Sequence, residues 1–275
     1  MSALTATKEA ATDSAARTSR LSKSYGSGVS RVAALEEVDL EFERGRLTAI
    51  MGPAGSGKST FLHCLAGLER PTSGRVWVGE THITGLDEER LSRLRRERIG
   101  FVFQDDNLMP GLTVAENIIL PFELGGRVLD HDHVELVVHT MGLSELLLHR
   151  PEELVTVQRE RVAAARAFVG RPEVVLADEP TAALDDRATS ELMGLLRRGV
   201  DELGGSVIMV THDPAVAAVA DRVVFLESGR VATELRQPAT LEVRRTLSDL
   251  RLSLSERALS ERDGRRTMAH GYICK

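Results

Sequence analysis

Nine consecutive residues, Gly52-Pro53-Ala54-Gly55-Ser56-Gly57-Lys58-Ser59-Thr60, constrain this chain more than any other stretch. They follow an apolar run, Leu47-Thr48-Ala49-Ile50-Met51, and precede an amphipathic run over 61–68, so a buried strand enters the loop and a helix leaves it. The glycines let backbone N–H groups turn inward around an anion, and the helix beginning near Lys58 directs its positive end at the same charge. The loop is a phosphate cradle. Lys58 is placed to reach the β- and γ-phosphates of a nucleotide, and the Ser59 hydroxyl to coordinate Mg²⁺.

Such a loop needs a carboxylate for the metal. Val174-Val175-Leu176-Ala177-Asp178-Glu179 supplies two at the end of a second apolar run. Asp178 is expected to bind Mg²⁺ directly or through water, and Glu179, one residue further out, to polarise an attacking water. The alternative is that Asp178-Glu179-Pro180 merely caps the next helix, since carboxylates favour helix N-termini; the upstream loop weighs against it. His212 follows a third apolar run (207–211) and precedes Asp213-Pro214, which puts it too at a strand's C-terminal end, where ligands of such sheets bind. It is read as a γ-phosphate contact, against the alternative of a satisfied turn residue.

The remaining pattern fixes the fold class. Val38-Asp39-Leu40-Glu41-Phe42 alternates as a half-exposed strand does, while 174–177, 207–210 and 223–226 are apolar on both faces. Helical stretches separate them, so the expectation is an α/β fold with a mostly parallel sheet core, an antiparallel β part near the N-terminus and a helical subdomain at about 91–168. Residues 1–20, rich in Ala, Thr and Ser, are read as a disordered arm. Residues 21–234 are read as one nucleotide-binding domain, and 235–275, with nine basic and five acidic residues, as a basic, helical tail.

The whole chain of 275 residues carries 35 Lys+Arg against 41 Asp+Glu, a net charge of -6, which argues against bulk binding to nucleic acid; so do aromatics at 4%. No run approaches the roughly 18–20 apolar residues of a membrane span, and the first 20 contain no signal-peptide core, so a cytoplasmic location is expected. Cys64 and Cys274 form neither a metal-ligand spacing nor a disulfide framework.

Taken together these residues resemble the nucleotide-binding subunit of an ABC transporter, over about 21–231. Phe101-Val102-Phe103-Gln104 resembles the family's Q-loop, Pro180-Thr181-Ala182-Ala183-Leu184-Asp185 its D-loop, and Thr211-His212-Asp213 its H-loop. The resemblance implies ATP and Mg²⁺ as ligands, Tyr25 against adenine (or else a packing tyrosine), and Gln104 as a sensor of γ-phosphate and metal. It also implies segment 105–121 facing a membrane-spanning permease, and a location on the inner face of the cell membrane. Arg95-Arg96-Glu97-Arg98-Ile99-Gly100-Phe101, Asn107-Leu108-Met109-Pro110 and Glu116-Asn117 before Pro121 are similar to the branch that powers macrolide export, lipoprotein release and antimicrobial-peptide resistance.

One motif departs from the family. Its signature Leu-Ser-Gly-Gly-Gln is here Leu154-Val155-Thr156-Val157-Gln158, just before Arg161-Val162-Ala163-Ala164-Ala165-Arg166-Ala167. In the family, two subunits sandwich two ATP molecules, and the signature of one grips the γ-phosphate held by the other. Val155 has no hydroxyl, and Thr156 and Val157 place β-branched side chains where backbone must approach closely. The expectation is a self-paired chain that hydrolyses ATP poorly and a partner subunit with an intact signature. The alternative is a weakly hydrolysing homodimer acting as a regulatory switch of the cell-division type.

Smaller signals have simpler readings. In His131-Asp132-His133, Asp130 or Asp132 is read as a helix cap and no zinc site is assigned. Trp77 and Phe103 are read as core. Val243, Leu247, Leu250 and Leu254 recur at helical spacing, read as a stripe packing on its own domain rather than on a partner or a membrane.

Overall fold

The computed structural model describes residues 13–103 and 106–253. The strands are β1 (Ser14–Tyr25), β2 (Val32–Glu43), β3 (Leu47–Met51), β4 (Ser73–Val78), β5 (Thr81–His82), β6 (Ile99–Val102), β7 (Val174–Asp178), β8 (Val207–Val210), β9 (Arg222–Glu227) and β10 (Arg230–Arg236). The α-helices are α1 (Lys58–Leu65), α2 (Glu88–Arg98), α3 (Val114–Gly125), α4 (His131–Thr140), α5 (Thr156–Phe168), α6 (Asp186–Asp201) and α7 (Pro214–Ala217), followed by α8 over 240–253.

The apolar runs become the centre of a six-stranded sheet ordered β10-β9-β3-β8-β7-β6, parallel except for β10. Because successive strand residues point to opposite faces, each run must be apolar throughout to satisfy two cores. In β3, Leu47, Ala49 and Met51 join the core under α3–α6, and Ile50 joins the other. In β8, Val207 and Met209 face the first core, and Ile208 and Val210 the second. That second core is closed by α1 and by an antiparallel sheet ordered β2-β1-β4-β5.

Three expectations change here. Residues 14–20, read as part of an arm, form the first half of β1, paired on one side with β2 and on the other with β4. Ala15 and Ala16 are fully buried there, and Thr18 Oγ1 both donates to Val38 O at 3.0 Å and accepts Leu40 N–H at 3.2 Å. Small residues suffice because the neighbouring strands supply the bulk. Second, β6 lies inside the stretch read as a helical insertion, where it forms an edge strand beside β7. Third, Trp77 is buried as expected, but Phe103 is 36% exposed and stacks on Phe101 with ring centroids 5.2 Å apart.

The insertion also contains α3, which begins with a reciprocal cap: Thr113 Oγ1 accepts Glu116 N–H at 3.3 Å and Glu116 Oε2 accepts Thr113 N–H at 2.7 Å. Asp130 caps α4 by accepting His133 N–H at 3.1 Å, and His133 is itself buried. In α8, Val243 is fully buried, Leu247 nearly so, and Leu250 lies against the same core; Leu254 lies outside the described residues.

The lower edge of the main sheet is tied by Asp221. Its Oδ2 accepts Leu47 N–H at 2.8 Å and Arg197 Nη1 at 2.9 Å. Burial works to raise the Asp221 pKa, but these bonds and the charges of Arg197 and Arg46 outweigh it and hold the carboxyl below its usual range. Asp221→Asn is expected to destabilise the fold by about 2 kcal/mol at neutral pH, since a charge-assisted bond and an ion pair are lost together. A depressed folded-state pKa gives stability that is present above the unfolded value, near 4, and lost as pH falls through the lower folded value. Urea titrations at pH 7 and in acid check this: the advantage of the natural chain over the variant should shrink only below about pH 4.

Candidate functional site

Loop 52–58 is shaped by close backbone approaches that exclude side chains. A Cβ on Gly52 would overlap the Leu226 carbonyl oxygen, and one on Gly57, whose φ is +99°, would overlap the Ala34 carbonyl oxygen. Gly57 is the N-cap of α1, so the loop delivers its N–H groups and the helix end to one place. A cavity of about 260 Å³ opens there, lined by Ala34, Gly55, Gly57, Lys58, Ser59 and Thr60.

Lys58 folds over the loop, its Nζ donating to Gly52 O and Pro53 O, each at 3.0 Å. Its ammonium sits below the usual lysine range: burial pushes it down, the carboxylates of Glu179 and Asp178 pull it up, and the Arg251 charge pushes it down again. Asp178 is shifted the other way. Burial raises its carboxyl and the neighbouring Glu179 adds to the rise, while His63 and Lys58 oppose it. The α1 end and the β7 end therefore share one electrostatic site.

Glu179 occupies a left-handed backbone conformation, φ +48°, an uncommon state for a non-glycine residue. Its N–H donates to Val210 O at 3.0 Å, and its Oε2 meets His212 Nδ1 at 2.9 Å. The turn after β7 thus carries the Glu179 side chain across to the end of β8. Tyr25 OH lies 3.4 Å from Thr60 Oγ1, and its ring, 41% exposed, stands beside the α1 end of the loop.

Two buried polar atoms here, Ser56 Oγ and Asp178 Oδ1, have no hydrogen-bond partner among the described residues. Leaving such atoms dry costs roughly 1–3 kcal/mol each, so they mark where a polar ligand or cation belongs. An oxygen donor from a carboxylate beside the 52–60 loop suits a hard cation such as Mg²⁺.

The structure thus brings together Lys58, Thr60, Tyr25, Asp178, Glu179 and His212. Gln104 lies outside the described residues. His63, which the sequence reading passed over, has Nε2 at 3.7 Å from Asp178 Oδ2; its only sequence signal is its place on the helix that leaves the loop. Leu154, Val155, Thr156, Val157 and Gln158 are elsewhere, at the N-terminal end of α5. Val155 is the N-cap, 61% exposed, and offers no side-chain acceptor, while Gln158 Oε1 accepts its N–H at 3.0 Å. Thr156 Oγ1 accepts from Arg159 Nη2 at 3.3 Å.

Comparisons with known proteins agree with this geometry. A family model described as ABC transporter matches residues 35–182. The bacitracin export ATP-binding protein BceA of Halalkalibacterium halodurans is 36% identical over 217 residues, which are 78% of this chain and 86% of that protein. The lipoprotein-releasing system ATP-binding protein LolD of Legionella pneumophila is 40% identical over 212 residues, 76% of this chain and 93% of the relative. Among solved structures, the dimeric post-hydrolysis state of the ATP-binding cassette MJ0796 bound to ADP and Pi matches with a TM-score of 0.70 at 36% identity, covering 82% of this chain and 99% of that one.

Proposed function

Because the chain belongs to the ABC transporter family of ATP-binding, ATP-hydrolysing subunits, we propose that it powers a membrane exporter or extractor from the site built on loop 52–60. The observation that carries this is the convergence of Lys58, Asp178, Glu179 and His212 on that loop. The loop N–H groups and Lys58 hold the phosphates of ATP, and Tyr25 flanks its base. Ser59, Asp178 and Gln104 would hold Mg²⁺, which would supply neutralisation of the phosphate charge. Glu179 takes the proton of the attacking water, and His212, bonded to Glu179, meets the transferred phosphate.

The relatives named for export and release support transport and do not favour a cell-division-type switch. Among the described residues no helix is long and apolar enough to cross a membrane; the pathway in this reading is a membrane-spanning permease. Its docking place is a groove of about 380 Å³ with Phe101, Phe103, Leu120, Pro121 and Leu124 along it and Arg95, Arg96 and Arg166 among its lining. That chemistry suits an apolar permease segment with acidic flanks, and docking there holds this chain at the membrane.

The second ATPase half is a different subunit, one with an intact signature. Here the α5 end lacks a hydroxyl at Val155 and carries side chains at Thr156 and Val157, while the residues around Lys58 are complete. Turnover by the purified chain alone, compared with its mixture with a full-signature ATPase encoded beside it, tests the pairing. The mixture is expected to run at least tenfold faster; equal turnover per site rules the asymmetric pair out.

A further inference from the structure

The Tyr25 ring is supported by a lysine. Lys23 stands two residues earlier on β1, and its Nζ lies over the ring, 5.0 Å from the centroid. That ammonium is fixed by two further contacts, with Glu69 Oε1 at 2.6 Å and with Arg70 O, to which it donates at 2.8 Å. Both partners lie in the segment that follows α1, the helix leaving the phosphate loop. The strand end is pinned to the same segment: Thr72 N–H donates to Ser22 O at 2.8 Å, and Ser24 N–H donates to Thr72 Oγ1 at 3.0 Å. At the far end of the ring the hydroxyl meets Thr60 Oγ1, in the first turn of α1. The Lys23 side chain is only 13% exposed, while Tyr25 is an exposed residue, so the lysine backs the ring from the protein side.

We propose that Lys23 is a positioning residue for the base of the nucleotide. It fixes the plane of the Tyr25 ring and draws the ring's π electrons toward the protein, so that the open face receives the base. The inference rests on the reading of Tyr25 as the residue that flanks the base at the loop 52–60 site. The face of an aromatic ring is electron-rich, and two such faces stacked directly repel each other. A cation held against one face of the tyrosine attracts that electron density and relieves the repulsion at the other. Anchoring adds a second effect: a ring already held by Lys23 and Thr60 loses less freedom when a base stacks on it. A lysine that only tied β1 to the 69–70 segment would be satisfied by Glu69 and Arg70 without lying across the ring.

The test compares two probes by calorimetry on the full chain: ATP, and inorganic tripolyphosphate, which has no base. K23M should weaken ATP binding about five- to tenfold and tripolyphosphate binding by less than about twofold. K23R, which keeps a cation able to stack on the ring, should bind ATP within about threefold of the natural chain. Y25A should weaken ATP binding about tenfold or more, as loss of a stacking platform does. In the Y25A background K23M should change ATP affinity by less than about twofold, because Lys23 acts through the ring. Unchanged ATP binding by K23M, an equal loss of both probes, a loss in K23R as large as in K23M, or the same loss with and without the ring overturns the proposal. The underlying reading fails separately: if Y25A binds ATP as tightly as the natural chain, Tyr25 does not flank the base. Tripolyphosphate binding retained by K23M shows in the same experiment that the loop is folded.

Discussion

Glu179→Gln is expected to lower steady-state ATP turnover by about two to four orders of magnitude while leaving ATP affinity within a few-fold. Glutamine keeps the shape of the side chain and its contact with His212 Nδ1, which is 2.9 Å away in the natural chain. What it loses is the ability to take a proton. The main chain argues that the position is specialised: among the described site residues outside the glycines, Glu179 alone holds a positive φ, and the turn so formed aims its carboxylate at the end of β8. A capping residue would not need that geometry, and its amide substitution would change stability rather than rate. Phosphate release and calorimetric ATP binding on the same preparation decide between them. Turnover within a few-fold of the natural chain would remove Glu179 from the chemistry.

The second large effect concerns α5. Restoring Val155→Ser, Thr156→Gly and Val157→Gly together should raise turnover of the self-paired chain ten- to a hundredfold, because a hydrogen bond to a charged group is worth about 1.5–3 kcal/mol. The substitution should be close to neutral for folding. Val155 is 61% exposed, so no core contact is lost, and serine at an N-cap adds up to about 1 kcal/mol where valine offers nothing. Each glycine costs up to about 1 kcal/mol in a helix interior and less in the first turn. Arg159 loses Thr156 Oγ1 but keeps Asp106 Oδ2 at 2.8 Å and Leu154 O at 2.9 Å. Phosphate release with parallel melting curves checks the pair of expectations. A restored signature with unchanged turnover would mean that these three residues are not what limits a self-paired chain.

The phosphate loop and the strands on either side of it were legible because their constraints are local. A loop that must cradle an anion needs glycines and a lysine at fixed spacing, and a strand buried on both faces must be apolar throughout, as Leu47-Thr48-Ala49-Ile50-Met51 nearly is. Strand β1 was not legible at its start. Ala15 and Ala16 look unable to build a core, yet they are fully buried because Phe42 and Val78, distant in sequence, provide the volume around them. Strand β6 was hidden between two helices, since four residues give too short a period to separate from a helical pattern. Phe103 was misread for the converse reason: an aromatic ring beside an apolar strand says nothing about which side of the sheet edge remains open.

By itself, then, the sequence determined the phosphate-binding turn, the parallel α/β core around it and the altered residues at the start of α5, because each depends on residue type within a few positions. Only the tertiary structure decided which separate strand ends meet. It carried Glu179 to His212, left Asp178 Oδ1 and Ser56 Oγ buried beside the loop with no partner among the described residues, and brought the end of α8 to the end of β9. Those placements follow from how strands order in a sheet and how helices pack across it, interactions between residues far apart along the chain that no local pattern encodes.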